Sequence, residues 1–340
     1  MSDRQTLDPQ EVRIFSGQSH PELAKGIADY LGVPLEKTYR KRFSNDNIQV
    51  QLGASVRSRI VYIVQSLTPP VSENLLELLM MLDIARSAAA REVHAIIPYF
   101  SYARSDKKNA PRISITARLI ADLLKTAGAT HAMTMTLHSP QVHGFFSIPI
   151  DPLTARALFT QYFRERDLRK TVVVSPDIGH AKAAARFARS LDLPVLAAIK
   201  ERISDTEVRV SGLFGRQVRR YRRALVYDDE IANGGSVVAV SRELVRHGIE
   251  EIIAICTHGL FTGNAFERLA EIPQIVELVT TDTVPPPPPE RRPPHLTILS
   301  VAAVFGEAIR RNYLRQSIGD LFTFWEDTHP SEEEASLEEV

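Results

Sequence analysis

The chain has 340 residues, 44% hydrophobic and 24% charged. This is a soluble globular composition, long enough for two domains, and it excludes a collagenous, wholly disordered or disulfide-stapled protein. Lys plus Arg and Asp plus Glu number 41 each, so no net field steers the chain onto a nucleic acid, and any anion site must be local. The one cysteine, Cys256, has no second thiol to pair with, and the opening MSDRQTLDPQ lacks an apolar signal core. The most apolar stretches, such as Leu75–Ile84 and Ala95–Phe100, are too short to cross a bilayer. A cytoplasmic protein without a membrane span or a nucleic-acid partner is expected.

Residues 1–11 read as a flexible lead. Apolar, β-branched runs then predict strands at Val12–Ser16, Ile60–Gln65, Val93–Tyr99 and Ala132–Leu137, with amphipathic helices at Pro21–Tyr30, Glu73–Ala89 and Ser114–Thr126. The second half repeats the plan. Its predicted strands are Thr171–Ser175, Val195–Ile199, Ala224–Tyr227, Ile252–Thr257 and Val276–Thr280. Its helices are Thr154–Glu165, Ala181–Leu191, Val237–His247 and Ala265–Glu271. Continuous apolar strands joined by helices predict an α/β protein with mainly parallel sheets flanked by helices. Two such series predict two similar domains, 12–150 and 151–322. VPPPPPERRPP, residues 284–294, cannot supply ladder donors and reads as an exposed loop inserted between two strands. The acidic tail, 323–340, has no core-forming pattern and reads as disordered.

Chemistry concentrates at strand ends. In ALVYDDEIANGGS a strand ends in Asp228 and Asp229, passes through Gly234 and Gly235, and enters a helix with Ser236 at its expected N-cap. Backbone N–H groups of such a turn cradle an anion, and the two acids accept from sugar hydroxyls. SPDIGH, residues 175–180, again places a carboxylate and a glycine before a helix, as a phosphate or metal-water site would. MTLHSPQVHGFF carries His138 and His143 just after a strand, and AIKER sets Lys200 and Arg202 two apart, where a cationic loop could close over phosphates. From spacing alone, ordinary βα turns, satisfied histidines and a solvated loop remain open alternatives.

The segments IVQSLTPPVSENLLELLMMLDIARSAA, IPYFSYARSDKK, TLHSPQVHGFFSIPIDPL, SPDIGHAKAA, DDEIANGGS, THGLFTGNA and SIGDLF occur in one order from Val12 to Phe322. Through them the chain resembles the ribose-phosphate pyrophosphokinases, or phosphoribosyl pyrophosphate synthetases. The resemblance implies two type I phosphoribosyltransferase-like domains and a homo-oligomer built from dimers, up to a hexamer. It also implies an enzyme of nucleotide biosynthesis that uses Mg2+ to transfer the pyrophosphoryl group of ATP to the 1-hydroxyl of ribose 5-phosphate, releasing AMP.

Carried over motif by motif, Phe43, Asn45, Asn47, Arg104, Ser105, Asp106 and Lys107 hold ATP. His138 and Asp177 are the metal positions, and Lys200, Arg202 and His138 are catalytic. Asp228, Asp229, Asn233, Gly234, Gly235 and Ser236 bind ribose 5-phosphate. Several loops depart from the family pattern. Ala232-Asn233 stands where Asp-Thr is usual, Thr136 where Asp precedes Leu-His, and His180 where a second glycine is usual, an expected obstruction to close phosphate approach. Phe43-Ser44-Asn45-Asp46-Asn47 lacks the family's Glu, and Ser105 replaces Gln. Besides a synthetase, these departures leave open an enzyme for another sugar phosphate, a weak or inactive paralogue that regulates or scaffolds a partner, and a phosphoribosyltransferase.

Overall fold

The run VRIFS forms β1 (Val12–Ser16), buried at four of its five residues as an interior parallel strand should be. In the computed structural model, residues 7–202, 208–211 and 215–321 are described. Helix α1 (Pro21–Leu31) starts with Pro21 in its first turn and with the His20 ring, whose Nδ1 accepts from the Leu23 N–H at 3.3 Å. It stops at Gly32 in the left-handed conformation. There follow β2 (Leu35–Glu36), the antiparallel ribbon of β3 (Thr38–Arg42) and β4 (Ile48–Leu52), β5 (Ile60–Val64), α2 (Val71–Ser87), β6 (Glu92–Ile97), α3 (Thr116–Ala127), β7 (His131–Met135) and β8 (Ile150–Leu153). Six of these strands form one parallel sheet in the order β2-β1-β5-β6-β7-β8.

The second unit opens with α4 (Arg156–Arg164), β9 (Thr171–Ser175), α5 (Ala181–Arg189) and β10 (Val195–Ala197), then the antiparallel ribbon of β11 (Ile199–Arg202) and β12 (Val208–Ser211) and the short α6 (Gly215–Val218). It continues with β13 (Arg223–Ile231), α7 (Gly235–Arg246), β14 (Glu251–Gly259), α8 (Ala265–Ala270), β15 (Ile275–Thr281) and β16 (Leu296–Leu299). Its six-stranded sheet is also parallel, in the order β10-β9-β13-β14-β15-β16. Within its own unit each sheet therefore has its second strand at one edge, then the first, then the third onward. Each also inserts a two-stranded ribbon between its second and third strands. In such sheets ligands bind outside the carboxyl ends of the first and third strands, where the chain leaves in opposite directions.

The first core joins Phe15, Val61 and Ile63 of the sheet to Leu78, Met81 and Leu82 of α2 and Leu124 of α3. The second joins Val172, Val174, Val226 and Ile252 to Val237, Val240 and Leu244 of α7. Each such buried side chain contributes about 1.5–3 kcal/mol.

Three expectations change. The first unit extends to Thr154, because β8 pairs with β7, and it regains the chain from Ala302 on, so the second unit ends at Val301 rather than at 322. Helix α9 (Ala302–Tyr313) packs on α1. The Tyr30 hydroxyl donates to Glu307 at 3.1 Å, Tyr62 to Asn312 Oδ1 at 3.0 Å, and Tyr313 to Glu11 at 3.0 Å. In the lead expected to be flexible through residue 11, Leu7 is buried at 2% exposure, while Asp8, Pro9 and Gln10 are exposed. The acidic tail lies outside the described residues. The proline-rich loop joins β15 to β16, with Pro288 in polyproline geometry and a 3-10 turn at Pro289–Arg291. Among the described residues no helix is long and apolar enough to cross a membrane.

Candidate functional site

In the second unit, β9 and β13 are neighbours and form the crevice. The strand expected to end near Tyr227 runs on to Ile231, since Glu230 and Ile231 still pair with His258 and Gly259 of β14. Asp228 and Asp229 are therefore inside the strand and only 8% and 4% exposed. The Asp229 N–H donates to Asp228 Oδ1 at 3.0 Å. Burial pushes the pKa of the neighbouring Tyr227 hydroxyl and of the Cys256 thiol up, and Cys256 lies across from Asp228 in register. Cys256 thus stays a protonated thiol and is no nucleophile.

From β9 the chain turns through Pro176–His180. Ser175 Oγ donates to the Asp177 carbonyl at 2.7 Å, and the His180 N–H donates to Asp177 Oδ1 at 3.0 Å, so the Asp177 carboxylate ties the entry to α5. The His180 ring lies 5.4 Å from that of Tyr227. One ring nitrogen of His180 and one carboxylate oxygen each of Asp228 and Asp229 lie within 4.8 Å of one another. Sequence reasoning treated His180 as an obstruction to phosphate, whereas the structure sets it beside the two acids. The signal that could have found it is the imidazole itself, standing where the family has glycine.

After β13, Gly234 adopts φ 74°, ψ −5° and caps α7, two residues earlier than the Ser236 cap expected from the sequence. The cause is Asn233, whose Oδ1 accepts from the Gly235 N–H at 3.0 Å. A side chain at Gly234 would be strained by its left-handed backbone, and its Cβ would come 3.3 Å from Leu269 Cγ. The segment after β14 braces the loop: Leu260 and Phe261 donate to the Ile231 carbonyl, and Thr262 donates to that of Ala232 at 2.8 Å. The N–H groups of Gly235 and Ser236 open a helix of twelve residues, whose positive end favours an anion. Lys200 and Arg202 are on β11, paired in register with Val210 and Val208. Their side chains lie outside the described residues.

In the first unit the corresponding crevice, between β1 and β5, is filled. The buried Gln65 donates through Nε2 to Glu77 Oε2 at 2.7 Å and to the Asn74 carbonyl at 3.0 Å, while its Oε1 accepts from Ser19 Oγ at 2.7 Å. The amide occupies the space a side chain on Gly17 would need. The candidate residues here are on the loops after β6 and β7. Asp106 Oδ2 accepts from Ser139 Oγ at 2.5 Å and from Gln141 Nε2 at 3.2 Å, which brings the Arg104–Lys107 loop to the His138 loop. Arg104, Lys107 and His138 are exposed. Ser105 Oγ accepts from the Thr116 N–H at 3.2 Å and donates to the Ser114 carbonyl at 3.3 Å, so its hydroxyl is engaged in starting α3. Thr136, β-branched yet at φ 42°, turns the chain sharply from β7 toward His138. Such a conformation costs on the order of 1–3 kcal/mol. Phe43, Asn45 and Asn47 form the tip of the β3–β4 ribbon, where the Phe43 N–H donates to the Asn47 carbonyl at 2.8 Å and the ring is 42% exposed. The ribbon is tied to α2 by Arg40 and Arg42, both on Glu73. Of the two expected metal positions, His138 belongs to the first unit and Asp177 to the second.

Comparison with known proteins covers both units. Residues 12–128 match the N-terminal domain of ribose phosphate pyrophosphokinase, and residues 217–323 match the phosphoribosyl synthetase-associated domain. A ribose-phosphate pyrophosphokinase of Deinococcus radiodurans is 43% identical over 314 residues, 91% of this chain and 97% of that protein. One from Caldanaerobacter subterraneus is 41% identical over 313 residues, 92% of this chain and 98% of that one. The crystal structure of phosphoribosylpyrophosphate synthetase from Mycobacterium smegmatis superposes with a TM-score of 0.83 at 36% identity, covering 90% of this chain and 99% of that one.

Proposed function

Because the chain belongs to the ribose-phosphate pyrophosphokinase family, we propose that it transfers the pyrophosphoryl group of ATP to the 1-hydroxyl of ribose 5-phosphate. The observation that carries this reading is the end of β13. There two buried acids lead into a left-handed glycine and the first turn of α7, in a chain that matches full-length relatives along nine-tenths of its length. Asp228 and Asp229 accept from ribose hydroxyls, and Asn233, Gly234, Gly235 and Ser236 surround the 5-phosphate. ATP is held by Arg104, Asp106 and Lys107, with Phe43 against adenine and Asn45 and Asn47 beside it. Ser105 contributes chiefly through its bonds at the start of α3.

In the reaction the sugar O1 forms a bond to the β-phosphorus of ATP. The bond from that phosphorus to the α–β bridging oxygen breaks, AMP leaves, and the hydroxyl proton passes to solvent. Lys200 and Arg202 place positive charge on the transferring group, whose transition state spreads charge over several oxygens. Magnesium takes oxygen ligands, a requirement that the Asp177 carboxylate and the nucleotide phosphates fit, with His138 as the second assigned position. When bound, the ion neutralises phosphate charge. We further assign the enzyme to the cytoplasm and to a homo-oligomer built from dimers.

The test is AMP release from ATP, with and without ribose 5-phosphate, before and after EDTA. Release that needs both the sugar phosphate and Mg2+ is expected. Release independent of the sugar, or none at millimolar substrates, refutes the assignment.

A further inference from the structure

We propose that His180, Asp228 and Asp229 form a cation site for a nitrogen-accepting divalent ion of the Mn2+ or Zn2+ class. The donor set is one imidazole nitrogen and two carboxylate oxygens within 4.8 Å of one another. Donors bound to one such ion at about 2.0–2.2 Å stand roughly 3–4 Å apart, so the site closes by side-chain movements of about 1 Å. Both acids are held inside β13, and His180 sits at the end of the turn that opens α5 with its ring beside that of Tyr227. Asp228 and Asp229 are 8% and 4% exposed, so two carboxylate oxygens and one imidazole nitrogen gather in a place with little water. Arg156 and Arg186 act electrostatically on the same Tyr227, so a guanidinium is the competing source of positive charge.

Three protein donors leave positions open for water, sugar hydroxyls or phosphate oxygens. With no phosphate oxygens bound, the imidazole disfavours magnesium, whereas first-row transition ions accept it. The proposal draws on the assigned function only for what fills those open positions, because binding of the bare ion does not need it.

The experiment titrates the full-length, chelator-treated chain with Mn2+ alone and reads affinity and 14N coupling by electron paramagnetic resonance. A coupled nitrogen is expected in the wild type and in His138→Ala, and none in His180→Gln. Mn2+ affinity falls at least ~10-fold in His180→Gln and in Asp228→Asn. Asp229→Asn, which leaves the imidazole in place, weakens binding while keeping the nitrogen signal, so the claim does not hang on the folding of one variant. Zn2+ displaces Mn2+ and Mg2+ does not. Absence of nitrogen coupling in the wild type, or coupling that survives in His180→Gln, overturns the site and leaves Arg156 or Arg186 as the neutralising group. Ribose 5-phosphate binding is measured separately on the same metal-free protein. Its failure beside an intact nitrogen signal refutes the sugar-phosphate reading and leaves the cation site standing.

Discussion

The two units have the same strand order and the same ribbon inserted between the second and third strands, yet their crevices differ. In the second unit the place between the first and third strands is lined by Asp177, His180, Asp228 and Asp229 and by a left-handed glycine. In the first unit Gln65, Ser19 and Glu77 close the equivalent place with hydrogen bonds to one another. One frame thus carries acids and a glycine turn at its strand ends in one unit, and a packed interior where a long amide reaches across in the other. In the first unit the residues proposed to hold ATP lie on the loops after β6 and β7 and at the tip of the ribbon. What the frame specifies is where a ligand can bind, and a few side chains decide whether one does.

The largest effect should come from the ribbon of the second unit. Lys200→Ala is expected to lower kcat at least ~100-fold with little change in the KM for ATP, as loss of one preorganised charge on a transition state does. A change confined to KM would remove that role. Opening the filled crevice comes next. Gln65→Ala removes the amide's hydrogen bonds to Ser19, Glu77 and the Asn74 carbonyl and opens a cavity, and should cost about 2–4 kcal/mol in urea unfolding while leaving kcat intact. Equal stability, or a fall in kcat as large as that of Lys200→Ala, would erase the contrast between the crevices. At the first ribbon, Phe43→Ala is expected to raise the KM for ATP ~10-fold, about 1.4 kcal/mol, with kcat retained. The two ribbons then separate cleanly into binding and chemistry in steady-state kinetics.

The smallest effect is a pH slope in the first unit. His94 is buried beneath the Tyr62 ring, 4.5 Å away, with His131 at 3.1 Å and Glu92 at 3.2 Å. His131 in turn meets Asp151 at 2.8 Å. Burial holds His94 below the ordinary histidine range, with the Glu92 hydrogen bond opposing the shift. Below the ordinary histidine pKa of about 6.5 the unfolded chain takes the proton that the folded one refuses, so stability declines as pH falls from 7 toward 5. His94→Gln should flatten that slope in urea midpoints measured at the two pH values. An unchanged slope assigns it to another group.

Most interior strands were legible because parallel strands covered on both faces are written as β-branched runs, VRIFS, TVVVS and EIIAIC among them. The elements that escaped are those whose identity depends on distant partners. β8 contains Pro152, tolerable because β8 is an edge strand. The β3–β4 ribbon is mostly polar and exposed, so TYRKR and IQVQL show no buried face. Helix α9 has an ordinary amphipathic pattern, but nothing local says that its partner is α1, nearly three hundred residues earlier. At the site, DDEIANGGS announced an acid and glycine turn. It did not announce that α7 would be capped at Gly234, ahead of Ser236, or that His180 would meet the acids, the second because it depends on how the turns from β9 and β13 approach one another.

The return of α9 to the first unit gives the chain an order of assembly opposite to its order of sequence. The second unit is one uninterrupted stretch, Ala155–Val301, whereas the first is split across both ends. On a ribosome the first sheet emerges early but keeps Tyr30 and Tyr62 without Glu307 and Asn312 until α9 is made. Meanwhile the later-coded sheet already has every one of its strands. A premature stop within α9 therefore injures the far, amino-terminal half of the molecule and spares the half that immediately precedes it.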